Sequence, residues 1–301
     1  MSRVLVIRLG ALGDFVMSFG PFAAIRAHHP AAEITLLTTP PFAGLADAAP
    51  WFDRVAIDAR PAWWNVAGLM RLRGMLRGFD MVYDLQTSGR SGWYFRLAGR
   101  PNWSGVARGC SHPQPGPARA AMHTIERQRD QLGLAGITDF PAPDLSFLTS
   151  RAVPPLPHRF ALLVPGAAPH RPGKRWPAVS YGALAAGIAA RGIVPVVLGG
   201  RDEAGLAAEI LAACPSALDL TGRTALLDIF AIAARAEFVV GNDTGPTHIA
   251  TAAGCPAVVL FSHDSDPAMT APRGPGGDWP RVLRVPVLAD LPVARVAAAL
   301  P

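Results

Sequence analysis

Three segments of the 301-residue chain carry residues whose types and spacing could do chemistry. The first is Arg8-Leu-Gly-Ala-Leu-Gly-Asp14, between a short apolar run and a helix-like stretch. Gly10 and Gly13 allow a tight turn and close approach of another molecule to the backbone. The Gly-x-x-Gly-Asp spacing is not the dinucleotide fingerprint, because an acid inside the turn would repel a pyrophosphate. Asp14 reads either as a helix N-cap or as a carboxylate projecting from the turn to act as a base. The second segment runs from Pro165 to Pro177 and contains Arg171-Pro-Gly-Lys174-Arg-Trp-Pro. A long Gly/Pro loop rich in positive charge suits a phosphate group, the bland alternative being a solvated basic loop. Lys174 is the single lysine among 28 Lys plus Arg. A compact ammonium differs in reach and hydrogen-bond geometry from a guanidinium fork, and it can place a point charge on a diphosphate.

The third segment, Val239 to Gly254, contains Asn242-Asp-Thr-Gly-Pro-Thr-His248 and is the most specific of the three. A strand ends at Gly241, a polar turn follows, and Pro246 opens a helix of small residues. Thr244 and Gly245 stand where the first-turn N–H groups and the positive end of the helix dipole would hold a phosphate. Asp243 and His248 flank that turn, with a satisfied core histidine as the alternative for His248. Among lesser candidates, Asp202 and Glu203 follow a strand and could accept ribose hydroxyl hydrogen bonds or serve as plain N-terminal helix carboxylates. His263, Asp264 and Asp266 resemble metal ligands by residue type only, and no metal is expected.

The elements that must position these residues alternate along the chain. In the first half the pattern predicts strands at Val4–Arg8, Glu33–Thr38, Arg54–Asp58 and Met81–Leu85, with helices at Phe15–His28, Met70–Gly78 and His123–Leu134. Arg100 to Pro117 reads as a loop. Pro141 to Pro157, with Pro141, Pro143, Pro154, Pro155 and Pro157, reads as a linker. The alternation then restarts, with strands at Phe160–Val164, Val194–Leu198, Leu218–Leu220, Phe238–Val240, Ala257–Phe261 and Val282–Val285. Helices are expected at Tyr181–Arg191, Glu203–Ala213, Leu226–Ala234, from about Thr247, and at the C-terminus. Near-continuous apolar strands separated by helices imply parallel sheets covered on both faces. The expectation is an α/β fold of two Rossmann-like, doubly wound domains facing a central cleft. The boundaries fall at 1–153 for the first domain and 154–301 for the second, with the terminal helix free to return onto the first.

Composition narrows the function classes. Half the residues are hydrophobic and 17% are charged, which excludes a disordered chain. The net charge of +6 favours anionic partners. The arginines are dispersed without interleaved aromatics, so no nucleic acid is expected. Cys110, Cys214 and Cys255 form neither a pair spacing nor a metal motif, consistent with a reducing cytoplasm. The N-terminus reads as lacking a secretory signal. The most membrane-like window, Tyr181–Gly200, divides at Arg191-Gly192 into a helix and a buried strand.

On Leu-Gly-Asp14, Gly-Lys174-Arg-Trp-Pro and Asp243-Thr-Gly-Pro-Thr-His248, the chain resembles the ADP-heptose:lipopolysaccharide heptosyltransferase family over most of its length. That resemblance implies the GT-B architecture and an inverting, metal-independent transfer with no cofactor, the nucleotide-diphosphate sugar, ADP-linked, being a substrate. It implies Asp14 as general base, with Lys174, Thr244 and Gly245 on the donor diphosphate, Glu203 on the ribose, Asp243 on the sugar and His248 in the same motif. The partners implied are a nucleotide-sugar donor and a lipid-linked or oligosaccharide acceptor. Trp63, Trp64, Arg71, Arg73 and Arg77 suggest peripheral contact with the inner face of the cell membrane, against the alternative of an ordinary packed helix. The competing readings are a sugar-nucleotide epimerase or hydrolase of the same fold, and a non-catalytic sugar-nucleotide-binding protein.

Overall fold

The computed structural model describes residues 1–153 and 155–301, so Pro154 of the expected linker lies outside the described residues. The chain divides into two compact units, Met1–Pro143 and Asp144–Pro301. The division precedes the expected boundary because a short helix, Ser146–Thr149, packs on the helix Leu226–Ala233 and buries Leu148 there.

The first unit is built on six parallel strands: β1 (Arg3–Ile7), β2 (Glu33–Thr38), β3 (Arg54–Ile57), β4 (Met81–Asp84), β5 (Trp103–Gly105) and β6 (His112–Pro113), ordered β3-β2-β1-β4-β5-β6. Val4, Leu5, Val6 and Ile7 are wholly buried, as expected of a central strand covered on both faces. Two elements differ from expectation. The stretch Arg100–Pro117 contains β5 and β6, which at three and two residues are too short to show a period; Trp103, fully buried, anchors them. The expected helix Phe15–His28 is two helices, Leu12–Val16 and Phe19–His28. Pro21 lacks an N–H and its ring is tolerated only in a first turn, so the helix restarts at Phe19 and places it there.

The second unit repeats the plan with β7 (Phe160–Val164), β8 (Val194–Val197), β9 (Leu218–Asp219), β10 (Val239–Asn242), β11 (Ala257–Phe261) and β12 (Arg281–Arg284), ordered β12-β11-β10-β7-β8-β9. In both sheets the first strand lies beside the fourth, the topological switch point of a doubly wound fold, where ligands bind outside the carboxyl ends of the strands. The terminal helix Val293–Ala297 packs on the helix Ala178–Ala190 of its own unit, where Leu288, Leu291, Val296 and Ala299 join that unit's core. Trp176 Nε1 donates to the Leu291 carbonyl at 3.0 Å and fixes the same connection. No helix among the described residues is long and apolar enough to cross a membrane.

Candidate functional site

The switch point of the second unit gathers most of the residues singled out in the sequence. Asn242 closes β10, fully buried, and its side chain binds the loop that leaves β7. Its Nδ2 donates to the carbonyls of Pro165 at 2.8 Å and Gly166 at 3.2 Å. Its Oδ1 accepts from the Trp176 N–H and the Tyr181 hydroxyl, each at 3.2 Å. One amide therefore sets both ends of the basic loop, a role that sequence inspection missed because an Asn after an apolar run looks like an ordinary strand end.

Within that loop the 3-10 turn Pro172–Lys174 delivers Lys174 to Asp243. Lys174 Nζ donates to Asp243 Oδ2 at 2.6 Å, and His248 Nε2 lies 3.2 Å from Asp243 Oδ1. The Lys174 and Asp243 side chains are 13% and 5% exposed. Burial alone would push the Asp243 carboxyl up, but His248 and Lys174 outweigh it and hold it at about 2. Thr244 is the N-cap of the helix Gly245–Ala252, and Pro246 occupies its first turn. The amides of that turn have no intrahelical acceptor, so they remain available to an anion. Gly241 is required beneath them, since a Cβ there would stand 2.9 Å from Val164 Cβ and 2.3 Å from Thr247 Oγ1. His248 is buried and bonded to Asp243, and its Nδ1 has no hydrogen-bond partner among the described residues.

Glu203 ends the turn after β8. Its Oε2 accepts the Gly200 N–H at 2.6 Å, the capping role of the bland reading. The same carboxylate also stands over the β7 loop, where a Cβ on Gly166 would meet Oε1 at 1.8 Å. His263 and Asp264 pair with each other at 3.0 Å, and Asp266 pairs with Arg284 at 3.3 Å. No group of three or more His, Cys, Asp or Glu that could hold a metal ion occurs among the described residues.

In the first unit the switch point presents Asp14. It lies inside the helix Leu12–Val16, whose N-cap is Ala11 with no side-chain bond, so Asp14 is not the cap. Its Oδ2 lies 3.3 Å from Arg8 Nη2, and the Asp14 side chain is 36% exposed. Gly10 has φ +127°, the left-handed region glycine tolerates, and a Cβ there would meet the Phe42 ring at 2.9 Å. Gly13 sits within the helix. Phe15 anchors the turn, stacking on Phe42 at 5.3 Å and meeting Phe22 edge-on at 5.5 Å. A further cavity of about 320 Å³ lies along the helix Gly89–Leu97, lined by Ser88, Trp93, Arg96 and Arg108 among others. Trp63 and Trp64 are 80% and 69% exposed ahead of the helix Val66–Met75, whose Val66 and Met70 also face solvent.

The family model described as glycosyltransferase family 9 (heptosyltransferase) matches residues 69–276, more than half of the chain. Lipooligosaccharide heptosyltransferase 2 of Haemophilus influenzae is 34% identical over 106 residues, 34% of this chain and 30% of that protein. The chain spans about a third of the length of the curated relatives it matches, 32% and 30% of the two. Among solved structures, E. coli heptosyltransferase WaaC with ADP superposes with a TM-score of 0.79 at 21% identity, covering 98% of both chains. The family 9 glycosyl transferase of Veillonella parvula DSM 2008 gives 0.81 at 19%, covering 99% of this chain and 95% of that one. These likenesses show the fold, two parallel six-stranded Rossmann-like sheets in the GT-B manner, and with the family match they place the chain in glycosyltransferase family 9, the heptosyltransferase family.

Proposed function

We propose that this chain is an inverting, metal-independent glycosyltransferase that moves heptose from ADP-heptose to a lipopolysaccharide-core or related glycan acceptor. The observation that carries the reading is the buried Lys174–Asp243–His248 cluster at the start of the helix Gly245–Ala252, at the β7/β10 switch point. A cation and a helix N-terminus side by side suit a diphosphate leaving group. The related E. coli WaaC was solved with ADP and with ADP-2-deoxy-2-fluoro heptose, which supports the choice of donor.

In the proposed reaction the donor diphosphate lies against Lys174 and the amides around Thr244 and Gly245, Glu203 takes the ribose, and Asp243 contacts the sugar. Asp14 accepts the proton of the acceptor hydroxyl while that oxygen bonds to the anomeric carbon. The bond from that carbon to the diphosphate breaks, and ADP leaves with the electron pair. A carboxylate is a weak base, which suffices when bond breaking leads and the hydroxyl acidifies late in the step.

The test is ADP release from ADP-heptose in the presence of lipopolysaccharide core oligosaccharides, with a chelator present throughout. Asp14→Asn is expected to abolish transfer with donor affinity nearly unchanged; wild-type turnover by that variant rejects Asp14 as the base. Acceptor-independent donor breakdown would point instead to a hydrolase or epimerase.

The exposed Trp63, Trp64, Val66 and Met70 favour a second statement: this face rests on anionic lipid, where a lipid-linked acceptor would lie. Arg60, Arg71, Arg73 and Arg77 surround it, and no acid occurs between Asp58 and Asp80. Sedimentation with anionic vesicles should be salt-sensitive and lost in Trp63→Ser/Trp64→Ser; equal binding by that variant rejects the surface.

A further inference from the structure

Arg8 follows β1 immediately, opposite Leu85, and its side chain is only 4% exposed. The guanidinium bridges the crevice between β1 and β4: Nη1 donates to the Leu85 carbonyl and Nη2 lies 3.3 Å from Asp14 Oδ2. Its Nε has no hydrogen-bond partner among the described residues. Burying a cation this completely is costly unless its charge is used. Burial pushes the guanidinium down; Asp14 acts most strongly against that, Arg127 reinforces it, and Asp84 opposes it.

A structural tie alone does not account for the charge. The neighbouring main chain is already secured without it. The Leu9 N–H donates to Gln86 Oε1 at 2.8 Å, and the Leu9 carbonyl accepts from Thr39 Oγ1 at 3.0 Å and Arg60 Nη2 at 3.1 Å. A neutral donor could serve the Leu85 carbonyl equally well. A cation adds to that a charge-assisted hold on the Asp14 carboxylate, stronger than a neutral donor gives.

We propose that Arg8 is a positioning residue for Asp14, a fixed internal cation that clamps one carboxylate oxygen and leaves the other turned to the acceptor. The inference rests on the reading of Asp14 as the base. Asp14 Oδ1 has no partner among the described residues, while Oδ2 is committed to Arg8. Anchored on Leu85, the guanidinium cannot follow a wandering side chain, so it fixes where the acceptor proton is received.

The experiment compares kcat, donor KM and acceptor KM of transfer for the parent, Arg8→Gln and Arg8→Lys. Glutamine keeps donors for Leu85 and drops the charge; lysine keeps the charge and loses the fork. Arg8→Gln is expected to lower kcat about 10- to 100-fold, since a small misplacement of a reacting group has that effect, with donor KM little changed. Arg8→Lys, which restores the cation, is expected to recover part of that kcat. A kcat in Arg8→Gln equal to the parent's, a loss seen in donor KM alone, or a lysine variant no better than the glutamine one overturns the proposal. Arg8→Met, apolar and suited to a buried site, replaces glutamine should that protein not fold, with the same expectations. Full activity of Asp14→Asn would remove the base reading itself, whereas a dead Asp14→Asn with a parental kcat in Arg8→Gln removes only the role of Arg8.

Discussion

Lys174 Nζ donates to Asp243 Oδ2 at 2.6 Å across 69 residues of sequence, so the single lysine of the chain reaches the candidate donor site already paired. A diphosphate placed there would share the cation with Asp243 instead of meeting it bare. Sharing lets the ammonium be held in place without a donor and still give its remaining N–H groups to phosphate oxygens.

Lys174→Ala should therefore weaken donor binding by about 1.5–3 kcal/mol, roughly 10- to 100-fold in Kd, the range for hydrogen bonds to charged groups. Lys174→Arg should rescue little, because a planar fork does not fit a point contact already shared with a carboxylate. Calorimetry with ADP reads both. Unchanged affinity in the alanine variant would exclude Lys174 from the diphosphate site.

Asp84, fully buried at the end of β4, gives a pH signature. Burial pushes its carboxyl up to about 6, against the opposing N–H groups of Thr87 and Gln86. An acid with a raised folded-state value binds its proton more tightly when folded. Stability of the first unit should thus fall as pH rises from about 4, the unfolded value, to about 6, and level off above that. Thermal melting across this window, flattened by Asp84→Asn, checks the sign; a rise in stability over the same window would contradict it.

Asn242→Ala removes four hydrogen bonds that seat the loop after β7 and leaves the Trp176 N–H and the Pro165 carbonyl without that partner. Unsatisfied buried groups cost about 1–3 kcal/mol each, so a loss of at least about 3 kcal/mol is expected in denaturant unfolding. Asn242→Asp, which keeps the shape but turns a buried carboxylate oxygen towards the Pro165 and Gly166 carbonyls, should cost at least as much. A change below about 0.5 kcal/mol, the scale of an ordinary surface substitution, would show that the loop is held by other means.

Gly166→Ala is the sharpest test of Glu203, whose Oε1 lies 1.8 Å from where the new Cβ would stand. The carboxylate must swing aside and give up the Gly200 N–H. With Glu203 on the ribose, Gly166→Ala and Glu203→Gln should weaken ADP binding to a similar degree and do so non-additively in combination. Additive effects would separate the two residues.

Much of the fold was legible in the sequence where burial on two faces makes a strand continuously apolar, as in β1, β7 and β11. β5, β6 and the break before Phe19 were not legible, because two or three residues carry no period and a single proline resets a helix. Of the candidate site, the Asp243-to-His248 turn announced itself through Pro246 and the small residues behind it. Lys174 stood out by its uniqueness. Arg8 and Asn242 did not, since each is one polar residue where a strand gives out, and its importance lies in partners 77 residues away that no local pattern reveals.

Each sheet repeats the order in which the first strand neighbours the fourth, and each unit holds an apolar cluster built on its own sheet. Substitutions that recode the loops around Asp14 need not disturb the packing beneath Lys174, nor the reverse. On the function proposed above, a lineage built this way can trade one acceptor for another while its grip on the donor stays as it was, changing half of its chemistry at a time.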